Sequence, residues 1–158
     1  MNIAWWVQRW SELHPDKPAV IFEEEQITYK ELNQRANKVS CWLQSLGIEK
    51  GDRVAVMLNN CPEFIELFLA CARLGAIFVP LNFRSAPPEL EYFLKNCRPR
   101  LFVFGHEFME SVNEVDFENT KPQALLSSVG KASNDSTVLD YIGESAFFDG
   151  RQPFLARS

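Results

Sequence analysis

Apolar runs alternate with amphipathic stretches through the first two-thirds of this chain, and that alternation restricts the fold more than any other feature. After Arg53 the run Val54-Ala55-Val56-Met57-Leu58 carries no polar residue. A strand with one solvated face would alternate apolar and polar side chains, so this run reads as a strand covered on both faces, as in a parallel sheet. Ala76-Ile77-Phe78-Val79-Pro80-Leu81 and Leu101-Phe102-Val103-Phe104 are two further apolar strands. The segments between them have helical spacing. Phe64, Leu67, Phe68, Cys71 and Leu74 form one stripe, and Leu90, Phe93, Leu94 and Cys97 another. Strands and helices alternating at this interval predict an α/β fold, an open, mainly parallel sheet with right-handed crossovers and helices on both faces.

Punctuation along the chain supports these elements. Trp5, Trp6, Trp10 and Leu13 lie on an amphipathic helix with Arg9 and Glu12 on its polar side, and His14-Pro15-Asp16-Lys17-Pro18 ends it. Ala19–Phe22 and Gln26–Thr28 are short strands joined at Glu23-Glu24-Glu25. Thr28 followed three residues later by Glu31 is a capping box, and the helix it opens carries an apolar stripe at Leu32, Ala36, Val39, Leu43 and Leu46 before Gly47 stops it. Asn60 and Pro62, with Glu63 to complete a cap, open the next helix, which Gly75 ends; Pro87 and Pro88 start another. Beyond Gly105 the pattern weakens to a short helix near Phe108–Val115, a strand near Ala124–Leu126, a loop at Ser133–Ser136 and a helical turn near Val138–Ile142.

With 158 residues the chain is one domain or part of one, and a chain of this size buries roughly 68–70% of its unfolded surface. Its 46% hydrophobic content excludes disorder for the bulk of it. The net charge of −5 argues against nucleic acid as the main partner, because phosphate binding needs a basic face. The acidic excess is local: residues 105–149 hold nine acids and two bases, a net of −7, against +2 elsewhere. No apolar run approaches the ~20 residues of a transmembrane segment. The N-terminus has no basic start, and Arg9 and Glu12 come too early for a signal peptide.

Catalytic chemistry is hard to find. Cys41, Cys61, Cys71 and Cys97 lack Cys-x-x-Cys spacing and lie far from His14 and His106, which predicts reduced thiols rather than a metal or disulfide. No two of the seven glycines make Gly-x-Gly, and Gly130-Lys131 lacks the rest of a phosphate loop. There is no Gly-x-Ser-x-Gly elbow. His106 follows a strand and reads as a loop residue. Glu63 and Glu66 read as solvated charges on the first turns of a helix. From the residues alone, the chain is an α/β unit without a catalytic centre.

Four pieces in order nevertheless resemble the adenylate-forming (AMP-binding) superfamily. Ile27-Thr28-Tyr29-Lys30-Glu31-Leu32 is similar to its first core motif, L-T-Y-x-E-L, and Ala72-Arg73-Leu74-Gly75-Ala76-Ile77-Phe78-Val79-Pro80-Leu81-Asn82 to its second, L-K-A-G-x-A-Y-V-P-L-D. Gly51-Asp52-Arg53-Val54-Ala55 and Asn60-Cys61-Pro62-Glu63-Phe64 match the run between them. The resemblance spans residues 1–105, and the continuation Asn82-Phe83-Arg84 looks most like acyl-CoA synthetases of the fatty-acid type, since peptide-synthetase modules usually carry Asp at the first of these positions.

This resemblance implies the N-terminal part of a large domain that a small mobile domain would follow. It implies an ATP-dependent acid–thiol ligase in which ATP and a carboxylate, here a fatty acid, give an acyl-adenylate and diphosphate, and coenzyme A then displaces AMP. ATP, CoA and magnesium belong to the longer enzyme. The Thr/Ser/Gly-rich phosphate loop ending in P-K-G is not in this sequence, and Phe154–Ser158 resembles the stretch just before it. The chain alone is therefore expected to be inactive, to bind none of these cofactors well, and to expose sticky sheet surface that favours self-association. No catalytic residue carries over. Asn82, Phe83 and Arg84 correspond to the segment that meets the nucleotide part of CoA, where an arginine could pair with a phosphate. A cytoplasmic location, with or without peripheral contact to membranes, is expected. A short non-catalytic binding module built on the same fold is the alternative, with Trp5, Trp6 and Trp10 as its partner surface.

Overall fold

The computed structural model describes residues 2–117, together with the backbone of two strands at 124–128 and 147–148. The expected helical turn at Val138–Ile142 and loop at Ser133–Ser136 lie outside the described residues. In chain order the elements are α1 (Ile3–Leu13), β1 (Pro18–Phe22), β2 (Glu25–Thr28), α2 (Tyr29–Ser45), β3 (Arg53–Met57), α3 (Pro62–Leu74), β4 (Ile77–Pro80), α4 (Pro87–Cys97) and β5 (Leu101–Gly105). A 3-10 turn (His106–Phe108), α5 (Met109–Asn113), β6 (Ala124–Ser128) and β7 (Phe147–Phe148) follow.

The sheet is ordered β4-β3-β5-β6-β7. β3 pairs in parallel with both β4 and β5, β5 in parallel with β6, and β7 is antiparallel to β6. Alternation along β3 and β5 builds two cores. Val54, Val56, Leu101 and Val103 pack with Val39 and Leu43 of α2 and Leu67, Ala70 and Cys71 of α3. Ala55, Met57, Phe102 and Phe104 pack with Leu90 and Leu94 of α4 and Val112 of α5. Both faces of the central strands are thus covered, which is why their sequence is apolar without a break.

β4 is an edge strand. Ile77 N–H bonds Asp52 O at 2.7 Å and Leu81 N–H bonds Val56 O at 2.8 Å, so the backbones of Phe78 and Pro80 face away from β3 by the two-residue period. Pro80 has no N–H to offer a further strand, a common way of blunting an edge.

A second layer is built from α1, α2 and the β1–β2 hairpin. Ala4, Ile27, Leu32 and Ala36 enclose Leu69 of α3. The capping box forms as expected: Glu31 N–H bonds Thr28 Oγ1 at 3.2 Å, and Thr28 N–H bonds Glu31 Oε2 at 2.8 Å. The Thr28 backbone and hydroxyl hold the Glu31 carboxyl below its ordinary value. Gly47 and Gly75 take positive φ, +76° and +70°, as helix stops.

Four local expectations are corrected. Glu66 is not solvated; it is fully buried, because α3 is covered on one side by the sheet and on another by α1 and α2. The N-cap of α3 is Cys61, with no side-chain cap bond, so Asn60 and Glu63 do not form the expected cap. Phe93, expected on the inner face of α4, is 39% exposed because Leu90 and Leu94 alone point inward. On α1 the buried stripe runs through Ala4 and Val7, leaving Trp5 and Trp6 about half exposed.

Candidate functional site

In an open α/β sheet, ligands are taken at the carboxyl ends of the strands, where successive connections leave to opposite sides. Here β4 lies on one side of β3 and β5 on the other. The segments that follow β3, β4 and β5 leave the sheet at that point.

After β3 the chain passes buried Leu58 and reaches exposed Asn59 and Asn60. After β5 it enters the 3-10 turn, with His106 and Glu107 exposed and Phe108 half-buried. Asn59 Nδ2 donates to Glu107 Oε1 at 2.6 Å, tying the exits of the two neighbouring strands together. Glu107 folds back over Gly105, where a Cβ would lie 2.5 Å from Glu107 Oε2. The backbone of Gly105 is ordinary, φ −69° and ψ 141°, so room, not conformational freedom, is what glycine provides there.

After β4 comes the Asn82-Phe83-Arg84 turn. Asn82 Oδ1 accepts from Arg84 N–H at 3.0 Å, and Asn82 O accepts from Ser85 N–H at 3.0 Å. The short Asn side chain stabilises the turn locally, as Asx residues commonly do. The Arg84 guanidinium lies over the Phe83 ring at 5.4 Å from its centroid. Phe83 in turn meets Phe108 with centroids 5.8 Å apart. Stacking of this kind contributes about 0.5–1 kcal/mol at an exposed site. Arg84 forms no salt bridge among the described residues, which leaves its planar donor face free to meet an anion.

The residues singled out in sequence thus fall on one turn at the carboxyl ends of the parallel strands. Asn59, Glu107 and Phe108 were not singled out. Their signal was positional only: each follows directly on a buried parallel strand. His106 stands beside them at the same end of β5.

Two reactive groups can be set aside. Cys61 caps α3 at the carboxyl end of β3, where a helix terminus usually favours a thiolate. Burial, with help from the Glu63 carboxylate, instead pushes its pKa up to about 12. Burial alone does the same for Cys71, also to about 12. Neither thiol is a nucleophile at neutral pH. Among the described residues no group of three His, Cys, Asp or Glu side chains is placed to hold a metal ion.

The sequence matches the AMP-binding enzyme family over residues 7–151, nearly its whole length. The chain belongs to that family. As an AMP-binding family member it is 37% identical over 132 residues to the crotonobetaine/carnitine–CoA ligase of Salmonella typhimurium, an alignment covering 78% of this chain and 26% of that protein. Its fold superimposes on a putative long-chain-fatty-acid CoA ligase from Rhodopseudomonas palustris with a TM-score of 0.76 and 28% identity, covering 87% of this chain and 35% of that one. The anthranilate CoA ligase bound to anthranoyl-AMP gives a TM-score of 0.75 at 25% identity over 80% of this chain and 25% of its own. The chain spans about a quarter of the length of the curated relatives it matches. No helix among the described residues is long and apolar enough to cross a membrane.

Proposed function

We propose that this chain is the N-terminal portion of an ATP-dependent, AMP-forming acyl-CoA ligase. Carboxylate, ATP and CoA would give acyl-CoA, AMP and diphosphate by way of an acyl-adenylate. The observation that carries this reading is the family match combined with 37% identity to a CoA ligase. The Asn82-Phe83-Arg84 turn supplies a contact for the nucleotide part of CoA, with Arg84 meeting a phosphate. ATP phosphates and magnesium are left to other parts of the enzyme, because these residues provide neither a glycine-rich cradle nor a carboxylate cluster. For the same reason we read the chain alone as inactive and a poor binder of cofactors, and its half-exposed Trp5 and Trp6 as surface that favours self-association.

A fatty acid is the substrate class favoured by the Asn82-Phe83-Arg84 continuation and by likeness to the Rhodopseudomonas protein. The Salmonella relative favours a second reading, a small carboxylate such as crotonobetaine or carnitine. A cytoplasmic location suits four cysteines that all stand as free thiols.

The test is a chimera in which this chain replaces the matched quarter of the Salmonella ligase. Carboxylate-dependent ATP–diphosphate exchange and thioester formation are expected from the chimera, and neither from the chain alone. A folded chimera without turnover overturns the ligase reading. Turnover by the chain alone overturns its inactivity.

A further inference from the structure

We propose that Asn59, Glu107 and Phe108 position Arg84 for its phosphate contact by a relay across the exits of the paired strands β3 and β5, a role that rests on the CoA contact assigned to Arg84 above. A long arginine on an exposed turn loses rotamer freedom when it binds, and a surface that already confines it reduces that loss. Phe83 is that surface, with the guanidinium 5.4 Å from its centroid. Phe83 is itself only half-buried, and the ring it leans on is Phe108, at 5.8 Å. Phe108 is the last residue of a three-residue 3-10 turn, an element with little stability of its own.

Phe108 and Phe83 both pack against the core on the α4 side of the sheet, and the turn is further tied down by the neighbour of Phe108. Glu107 accepts from Asn59 at 2.6 Å, and Asn59 follows directly on Leu58 at the end of a strand buried on both faces. Gly105 leaves the space into which the Glu107 carboxylate folds to make this bond. The chain of contact therefore runs from the rigid centre of the sheet, through Asn59 and Glu107, to Phe108, Phe83 and the guanidinium. None of the three relay residues needs to touch the ligand.

The relay makes Gly105→Ala an informative variant. The three atoms its Cβ would meet most closely all belong to the Glu107 carboxylate, the far end of a flexible side chain, so the substitution displaces that group. Phe108→Leu keeps apolar volume and removes the ring. Asn59→Ala removes the donor.

The experiment titrates millimolar CoA into the full 158-residue chain labelled with 15N, following amide shifts and the Arg84 Nε–Hε resonance. Unchanged amide spectra away from these strand exits certify that each variant is folded. Wild type is expected to bind weakly, and Arg84→Ala to raise Kd about tenfold, the size of one charge-assisted bond. Gly105→Ala, Asn59→Ala and Phe108→Leu are each expected to raise Kd about two- to fivefold, in line with loss of a stacked support. In an Arg84→Ala background the same three changes should have no further effect, because coupled residues are not additive. Equal effects in both backgrounds, or none in either, overturn the relay while leaving the CoA contact standing. An Arg84→Ala chain that binds CoA as wild type does overturns the CoA contact itself, and the relay with it.

Discussion

Arg35 lies between Glu25 on β2 and Glu66 on α3, its side chain 15% exposed, whereas Arg84 stands on an open turn over the ring of Phe83. The first is held by carboxylates, with Glu25 Oε1 at 3.1 Å and Glu66 Oε1 at 3.5 Å. The second has an aromatic support and no carboxylate among the described residues. Burying a charge is tolerable only when its partner is buried with it, so Arg35 and Glu66 are committed to one another and to the packing of α2 on α3. An exposed guanidinium carries no such obligation. The same residue type therefore works as an internal tie in the helical layer and remains available to a ligand at the end of the sheet.

The largest expected effect tests the internal half of this contrast. Arg35→Ala removes the guanidinium paired with the fully buried Glu66 and should cost about 3–5 kcal/mol in urea unfolding. Replacing both residues with leucine should recover most of that loss, since a well-packed apolar pair is often as stable as a buried ion pair. A loss below about 1 kcal/mol for Arg35→Ala would place the pair among ordinary surface salt bridges and remove the distinction. Next in size is Arg73→Ala. Arg73 joins α3 to α2 by donating to the Asn33 and Asn37 side-chain oxygens, with Asn33 at 2.6 Å. Asn37 is exposed and can turn to water. The expected loss is therefore smaller, about 1–3 kcal/mol, by the same measurement.

How much of this was legible in sequence depends on whether an element is covered once or twice. The strands from β1 to β6, the capping box at Thr28 and the glycine stops depend on local chemistry and periodicity, and they stand as read. Glu66 departs from its sequence reading because one apolar stripe is not the whole buried face of α3. The unbroken run Leu67-Phe68-Leu69-Ala70-Cys71 carried the missing signal, since a helix apolar around more than one face is enclosed on more than one side. At the site, Arg84 could be found through its motif, but Asn59 and Glu107 are 48 residues apart and meet only because β3 and β5 become neighbours. No local pattern encodes that pairing.

The capping box gives a smaller effect on the internal side. Thr28→Ala should cost about 1 kcal/mol, typical of a lost N-cap. Glu31 titrates below its ordinary value because Thr28 bonds its charged form. Its contribution is accordingly complete above the unfolded pKa and is lost as pH falls through the lowered folded pKa. Urea midpoints compared at pH 7 and in the acid range should show the difference between wild type and Thr28→Ala narrowing as the carboxyl is protonated. A difference that stays constant across that range would show that the Thr28 hydroxyl does not bond the Glu31 carboxylate, leaving the backbone N–H as its partner in the cap.

The smallest stability effect belongs to Arg84. Its loss removes one exposed stacking contact and no ion pair, so Arg84→Ala should leave the urea midpoint within the range of about 0.5 kcal/mol usual for surface substitutions. Arg84→Lys keeps the positive charge but not the planar donor fork that meets a phosphate with two bonds. If the guanidinium acts only as a charge, the lysine variant should bind CoA as wild type does. If its shape and its seat on Phe83 matter, lysine should recover only part of the affinity lost to alanine, again with stability unchanged. A stability loss above about 1 kcal/mol in Arg84→Ala would instead make Arg84 a structural tie like Arg35, and the contrast between the two arginines would fail.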